Sequence, residues 1–144
     1  MPNDVKVKYR IWVEWNGNQI IGPGIYDILK AIDETGSIAS AARKLGFSYK
    51  FIWTYLKKLE DILQVPLVQS KRGGRERGKT ELTEIGQLLL KHYEELSAEI
   101  NRLIPTWEAK FQEVVNSLDR YRAEVGSEGS EEGEEELPFY SEEE

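Results

Sequence analysis

Residues 37–63, SIASAARKLGFSYKFIWTYLKKLEDIL, are the stretch that most narrows what this chain can fold into. Ile38, Ala41, Ala42 and Leu45 recur at helical spacing behind Ser37, whose hydroxyl is suited to cap a helix by accepting from a backbone N–H in its first turn. The two alanines are small enough for close helix packing, and Gly46 ends the run. After the turn Gly46-Phe47-Ser48, Ser48 supplies a second cap, and Ile52, Leu56, Leu59 and Leu63 make the inward stripe of another helix. Two helices joined by about three residues that include a glycine are a helix-turn-helix.

The flanking sequence completes a larger unit. Ile25, Ile28, Leu29 and Ile32 repeat at helical spacing from Gly22-Pro23-Gly24 to the stop at Gly36, which predicts a first helix ahead of the pair. Farther upstream Val5, Val7, Tyr9, Ile11, Val13 and Trp15 alternate with Lys6, Lys8, Arg10, Trp12 and Glu14, the period of a strand with one buried face. Asn16-Gly17 predicts a tight hairpin turn, with Gln19-Ile20-Ile21 as the return strand. Downstream, Leu67–Ser70 and Thr80–Leu82 bracket the basic tip KRGGRERGK, two short strands that read as a wing. Thr83 then caps a long helix whose apolar positions run Ile85, Leu89, Tyr93, Leu96, Ile100, Leu103, Trp107, Phe111, Val114, Leu118, Tyr121 and Val125. Pro105 interrupts it, and the unbroken phase of the stripe fits either a kink or a brief break between coaxial segments.

The expected fold class is therefore α+β, mainly α: a winged helix-turn-helix with an N-terminal β-hairpin and a long C-terminal helix. The expected organisation is a hairpin over 1–22, the DNA-binding domain over 23–90, a dimerisation helix over 91–125 and a disordered acidic tail over 126–144, whose glycine, serine and glutamate cannot bury a core.

A net charge of −7 argues at first against a nucleic-acid partner, but its distribution reverses that conclusion. The tail holds nine glutamates and no lysine or arginine, which leaves residues 1–125 at +2, and Arg43–Lys79 carries ten basic residues against Glu60, Asp61 and Glu76. That concentration is the electrostatic footprint of a surface that meets phosphates.

With Ile52, Leu56 and Leu59 turned inward, helical geometry places Tyr49, Lys50, Trp53, Thr54 and Lys57 on the opposite face, one able to enter a major groove. Lys50 and Thr54 suit base edges, Tyr49 and Trp53 suit thymine methyls or sugars, and Lys57 and Lys58 suit phosphates. Aromatic rings at helical spacing also fit a core, and this bland reading weighs more for Phe51 than for Trp53. In the wing, Lys71, Arg72, Arg75, Arg77 and Lys79 crowd a glycine-rich loop that allows close approach to phosphate or a narrow minor groove; a solvated basic loop is the alternative.

These residues resemble the N-terminal domain of the ModE-type molybdate-responsive regulators and, more distantly, the LysR-type regulators. The resemblance covers Gly22–Leu90 and is carried by GPG at 22–24, AIDETGSIASAARKLGFSYK at 31–50, Trp53, PLV at 66–68, Gly73-Gly74 and LTEIGQLLL at 82–90. It implies a dimeric winged-helix DNA-binding domain with Ser48, Tyr49, Lys50 and Trp53 in the recognition-helix motif. Ile52 stands where the family has a small residue, and the wing is less glycine-rich, so base preference does not carry over. A helix and an acidic tail follow where those regulators add a molybdate-binding domain, and oxyanion sensing is not expected.

With no cysteine there is neither a disulfide nor a thiolate metal site, and His92 is the one histidine, with no triad around it. No phosphate-binding loop, dinucleotide fingerprint or metal-ligand spacing is present, so neither catalysis nor a cofactor is expected. No apolar run suggests a signal peptide or membrane span, which places the protein in the cytoplasm with the nucleoid. The expectation is a transcription regulator that binds double-stranded DNA as a homodimer, with Tyr93, Ile100, Leu103, Trp107, Phe111, Val114, Leu118 and Tyr121 joining the two copies. The alternatives are a low-specificity architectural nucleoid protein, or an interaction module whose acidic tail recruits a protein partner. The lower half of the long helix has its own alternative, folding back onto the strands of its own chain.

Overall fold

In the computed structural model, residues 4–71 and 79–126 are described. Four helices and two antiparallel hairpins follow in the order β1 Val13–Trp15, β2 Asn18–Ile21, α1 Pro23–Thr35, α2 Ile38–Leu45, α3 Tyr49–Leu63, β3 Val68–Ser70, β4 Thr80–Leu82 and α4 Glu84–Val125. This is the fold class read from the sequence, and its elements fall into two units.

The larger unit, residues 7–105, holds the core. Leu29 and Ile32 of α1, Ala41 of α2, Ile52 of α3 and Leu67 ahead of β3 are fully buried, with Ile21, Leu82 and Leu90 joining them from the hairpin, the wing and α4. The capping expected from sequence is present: Ser37 Oγ accepts from Ser40 N at 2.8 Å and Ser48 Oγ from Phe51 N at 3.0 Å, each contributing about 1 kcal/mol to its helix. Gly46 turns the chain between α2 and α3 at φ 76°, a left-handed conformation that a residue with a Cβ adopts only at a cost. Its N–H and that of Phe47 return to carbonyls of the last turn of α2, at Arg43 and Ala42. At the end of α3 Gln64 takes the left-handed position at φ 60°, with no glycine to mark it in the sequence.

The long N-terminal strand did not form. Only Val13–Trp15 pairs, in the register Val13↔Ile21, Glu14↔Gln19 and Trp15↔Asn18 around a turn with positive φ at Asn16 and Gly17. A strand needs a ladder partner, and β2 is four residues long, so the alternation upstream of Val13 has no edge to pair with. That segment is held by other bonds: Tyr9 Oη donates to Asn101 Oδ1 at 2.6 Å, and the Ile11 carbonyl accepts from Tyr93 Oη at 2.9 Å. Tyr9, Val13 and Trp15, expected inside, are exposed.

The smaller unit takes in residues 1–6 and 106–144. Its described part is the second half of α4 with residues 4–6 beside it, where Val5 N donates to Gln112 Oε1 at 3.0 Å. Pro105 lies inside α4, which continues past it. Trp107, Phe111, Val114, Leu118 and Tyr121 are all exposed. The glutamate-rich segment from residue 127 on lies outside the described residues. Among the described residues no helix is long and apolar enough to cross a membrane.

Candidate nucleic-acid interface

Helix α3 owes its placement to its two faces. Ile52, Leu56 and Leu59 are buried against the rest of the larger unit, and at about 0.8 kcal/mol per buried CH₂ this stripe fixes the rotation of the helix about its axis. The opposite face follows from that rotation: Tyr49, Lys50, Trp53, Thr54 and Lys57 are all exposed. Trp53 is 46% exposed and Phe51 44%, so neither belongs to the core and the bland reading of Phe51 is overturned. Ser48 spends its hydroxyl on the cap of α3.

The cations of this face differ in how free they are. Lys57 Nζ sits 3.3 Å from Glu60 Oε1 and 5.5 Å from the centre of the Trp53 ring. Lys44, on α2, is held by Glu34 at 2.8 Å, and its ammonium group keeps the Glu34 carboxyl below the usual carboxylate range. Lys50 has no ion-pair partner among the described residues and is the cation nearest the N-terminal end of α3.

The wing is aimed by backbone bonds. Strands β3 and β4 pair as Val68↔Leu82, Gln69↔Glu81 and Ser70↔Thr80, and Lys71 N donates to the Lys79 carbonyl at 2.8 Å to extend the ladder. Thr80 N donates to the Gly36 carbonyl at 2.7 Å, which ties the wing to the end of α1, and Thr83 N donates to the Leu67 carbonyl at 2.9 Å. Glu60 makes the link to α3 by accepting from Leu67 N at 2.7 Å. Sequence reasoning gave Glu60 no role; the one signal available was a carboxylate standing between Leu59 and Asp61, one turn from Lys57. Lys71 and Lys79 are exposed at the base of the loop, while Arg72, Arg75 and Arg77 lie outside the described residues.

Of the side chains assigned to dimerisation, Ile100 is half-buried and Leu103, Trp107, Phe111, Val114, Leu118 and Tyr121 are exposed. Tyr93 differs. It is 7% exposed, stacks on Tyr26 at 5.3 Å between ring centres and donates to the Ile11 carbonyl, so it serves the core of its own chain. Beside it opens an apolar cleft of about 460 Å³ lined by Val13, Ile21, Ile85, Leu88, Leu89 and Leu96 together with His92. Leu88 went unnoticed because it falls between the two neighbouring positions of the stripe. Among the described residues no cluster of His, Cys, Asp or Glu could hold a metal ion.

Residues 26–87 match the family described as bacterial regulatory helix-turn-helix protein, lysR family. Among curated relatives, the molybdenum-pterin-binding protein MopB of Rhodobacter capsulatus is 36% identical over 81 residues, which is 56% of this chain and 30% of MopB. The transcriptional regulator ModE of Haemophilus influenzae is 37% identical over 74 residues, 51% of this chain and 29% of that protein. The matched segment thus spans about three-tenths of those relatives' length. Among solved structures, the CbnR DNA-binding domain in its DNA complex aligns at 24% identity with a TM-score of 0.44, over 71% of this chain and 95% of that one. Residues 26–87 are thus similar to the helix-turn-helix of the lysR family, and the segment that contains them is similar to the corresponding part of MopB and of the ModE regulators.

Proposed function

We propose that this chain is a transcription regulator that binds duplex DNA as a homodimer, with α3 in the major groove and the wing on the flanking phosphates. The observation that carries the reading is the outward face of α3: Lys50 and Thr54 are exposed near the capped N-terminal end of a helix whose rotation is fixed by a buried stripe. Such an end is where helix-turn-helix proteins reach base edges. The names of the relatives support it, since ModE of Haemophilus influenzae is called a transcriptional regulator.

The homodimer is supported by the exposed apolar face of α4. An isolated amphipathic helix does not leave Trp107, Phe111, Val114, Leu118 and Tyr121 in water without cost, and a second copy covers them in the simplest closed arrangement. Two-fold symmetry sets the two recognition helices about one DNA turn, or a multiple, apart and favours an inverted repeat. Binding to DNA places the chain with the nucleoid, in the cytoplasm.

The test is selection of a preferred duplex from a random pool, followed by binding of Lys50→Ala and Thr54→Ala. Each is expected to cost about 1–3 kcal/mol on the selected duplex and little on random DNA. Equal losses on both would turn the reading into that of a low-specificity architectural protein.

A further inference from the structure

The outward face of α3 is bordered by aromatic rings on both sides, and one border, Tyr49 with Trp53, already has a role. On the other, Phe47, Phe51 and Tyr55 follow at four-residue steps and stack along the helix. Ring centres are 4.7 Å apart at 40° for Phe47 and Phe51, and 5.8 Å apart at 47° for Phe51 and Tyr55. Both phenylalanines are 44% exposed and Tyr55 is 38% exposed, so this ladder is not part of the core. The middle ring packs between its neighbours and still leaves close to half of its residue's surface exposed.

We propose that Phe51 contacts the C5 methyl group of a thymine in the major groove, and that Phe47 and Tyr55 are positioning residues that hold its ring. The proposal rests on the reading of α3 as the helix that enters DNA. A helix with its side chains is about 10–12 Å across, and the major groove is about 12 Å wide, so the flanks of an inserted helix meet the groove walls. At about 100° per residue, Lys50 and Thr54 point to the floor of the groove, and Phe51 and Trp53 project roughly 70–90° to either side. Phe51 is the third residue of α3, at the end that reaches bases. Its ring has no hydrogen-bond donor or acceptor to offer. On a major-groove base edge the thymine methyl is the apolar group such a ring can recognise.

The charges favour this occupant over an apolar protein surface. Lys50 precedes Phe51 and Lys58 follows Tyr55 by one turn, both exposed. An apolar partner would have to strip water from these cations, whereas a polyanion that carries methyl groups satisfies both ring and charge.

The experiment uses the full chain and its selected duplex, with each thymine replaced in turn by deoxyuridine, a change that removes the methyl group alone. The wild-type protein is expected to lose about fourfold in affinity at one position, the weight of one buried methyl. Phe51→Ala binds the thymine and uracil duplexes alike at that position with an unchanged salt slope, because no phosphate contact is lost. Phe47→Ala and Tyr55→Ala narrow the ratio without abolishing it, and Phe51→Leu, apolar but of another shape, keeps part of it. Thermal melting confirms that each variant is folded. No thymine position that matters in the wild type, or a thymine-to-uracil ratio unchanged in Phe51→Ala, overturns the contact and leaves the role of α3 standing. Failure to select any duplex overturns the role of α3 and the contact together.

Discussion

Gly86 gives the most direct check of the packing that supports the wing. It lies in the first turn of α4, and a Cβ there would stand 2.5 Å from the Leu67 carbonyl oxygen and 3.3 Å from Leu82 Cβ. The first neighbour is backbone that already accepts from Thr83 N, and Leu67 and Leu82 are among the most deeply buried side chains, so neither can swing aside. Overpacking of this kind costs about 1–3 kcal/mol, and alanine's helix preference over glycine offsets at most about 1 kcal/mol of it. Gly86→Ala is therefore expected to be less stable by about 1–2 kcal/mol. At roughly 4–8 °C per kcal/mol for a domain of this size, its melting temperature falls by about 4–16 °C. Gly24→Ala is the control: it sits in the first turn of α1 with nothing within 4 Å of the added Cβ, and is expected to melt no lower than the wild type. Circular dichroism melts of the two variants settle the matter. A Gly86→Ala protein that melts with the wild type or above it would refute the close approach of α4 to the wing base.

Three other outcomes can be checked by DNA binding, sedimentation and denaturation. Arg75→Ala and Arg77→Ala are expected to weaken binding to all sequences alike and to flatten the logarithmic salt dependence by roughly one unit each, read by titration across a salt series; an unchanged slope removes the wing from the phosphates. Phe111→Asp, on the exposed face of α4, would put two charges into the proposed two-fold interface and is expected to weaken the dimer by more than about tenfold in sedimentation, so an unaffected dimer would place the interface elsewhere. The Glu94 carboxyl is held below the usual carboxylate range by hydrogen bonds from Lys30 and then Tyr26, while the same carboxylate raises both partners. Its contribution is present above the ordinary carboxylate range and is lost as pH falls through the lowered value. The small stability advantage of wild type over Glu94→Gln in urea is therefore expected to vanish in acid, and an advantage that persists there would contradict the assignment.

The helices were legible because each carries its own punctuation. Ser37 and Gly46 bound α2, Ser48 opens α3, and the stripe Ile52, Leu56, Leu59 is buried as its spacing requires. The strand was misread because alternation records which side chains could share a face, not whether a second strand is there to pair with. Upstream of Val13 the alternation is real, yet Tyr9 is held by side-chain hydrogen bonds and β1 is three residues long. Tyr93 was misassigned for a related reason: a helical stripe gives phase, and the same phase serves a partner copy in one turn and the chain's own core in another. The glycine in LTEIGQLLL was visible, but its reason, the Leu67 carbonyl beneath it, exists only after the wing has folded back.

The candidate interface divides along the same line. Side-chain phase delivered Lys50, Thr54 and Trp53, because burying one face of α3 decides the other. The posture of the wing relative to α3 was not legible, since it depends on backbone acceptors and donors that every residue type possesses: the Gly36 carbonyl for Thr80, and the Leu67 N–H for Glu60. Glu60 joins the base of the wing to α3, its carboxylate meeting the Leu67 N–H with one oxygen and Lys57 with the other. A cation drawn from Glu60 to a phosphate would leave that carboxylate to the wing alone, so the two surfaces assigned to DNA meet at one side chain.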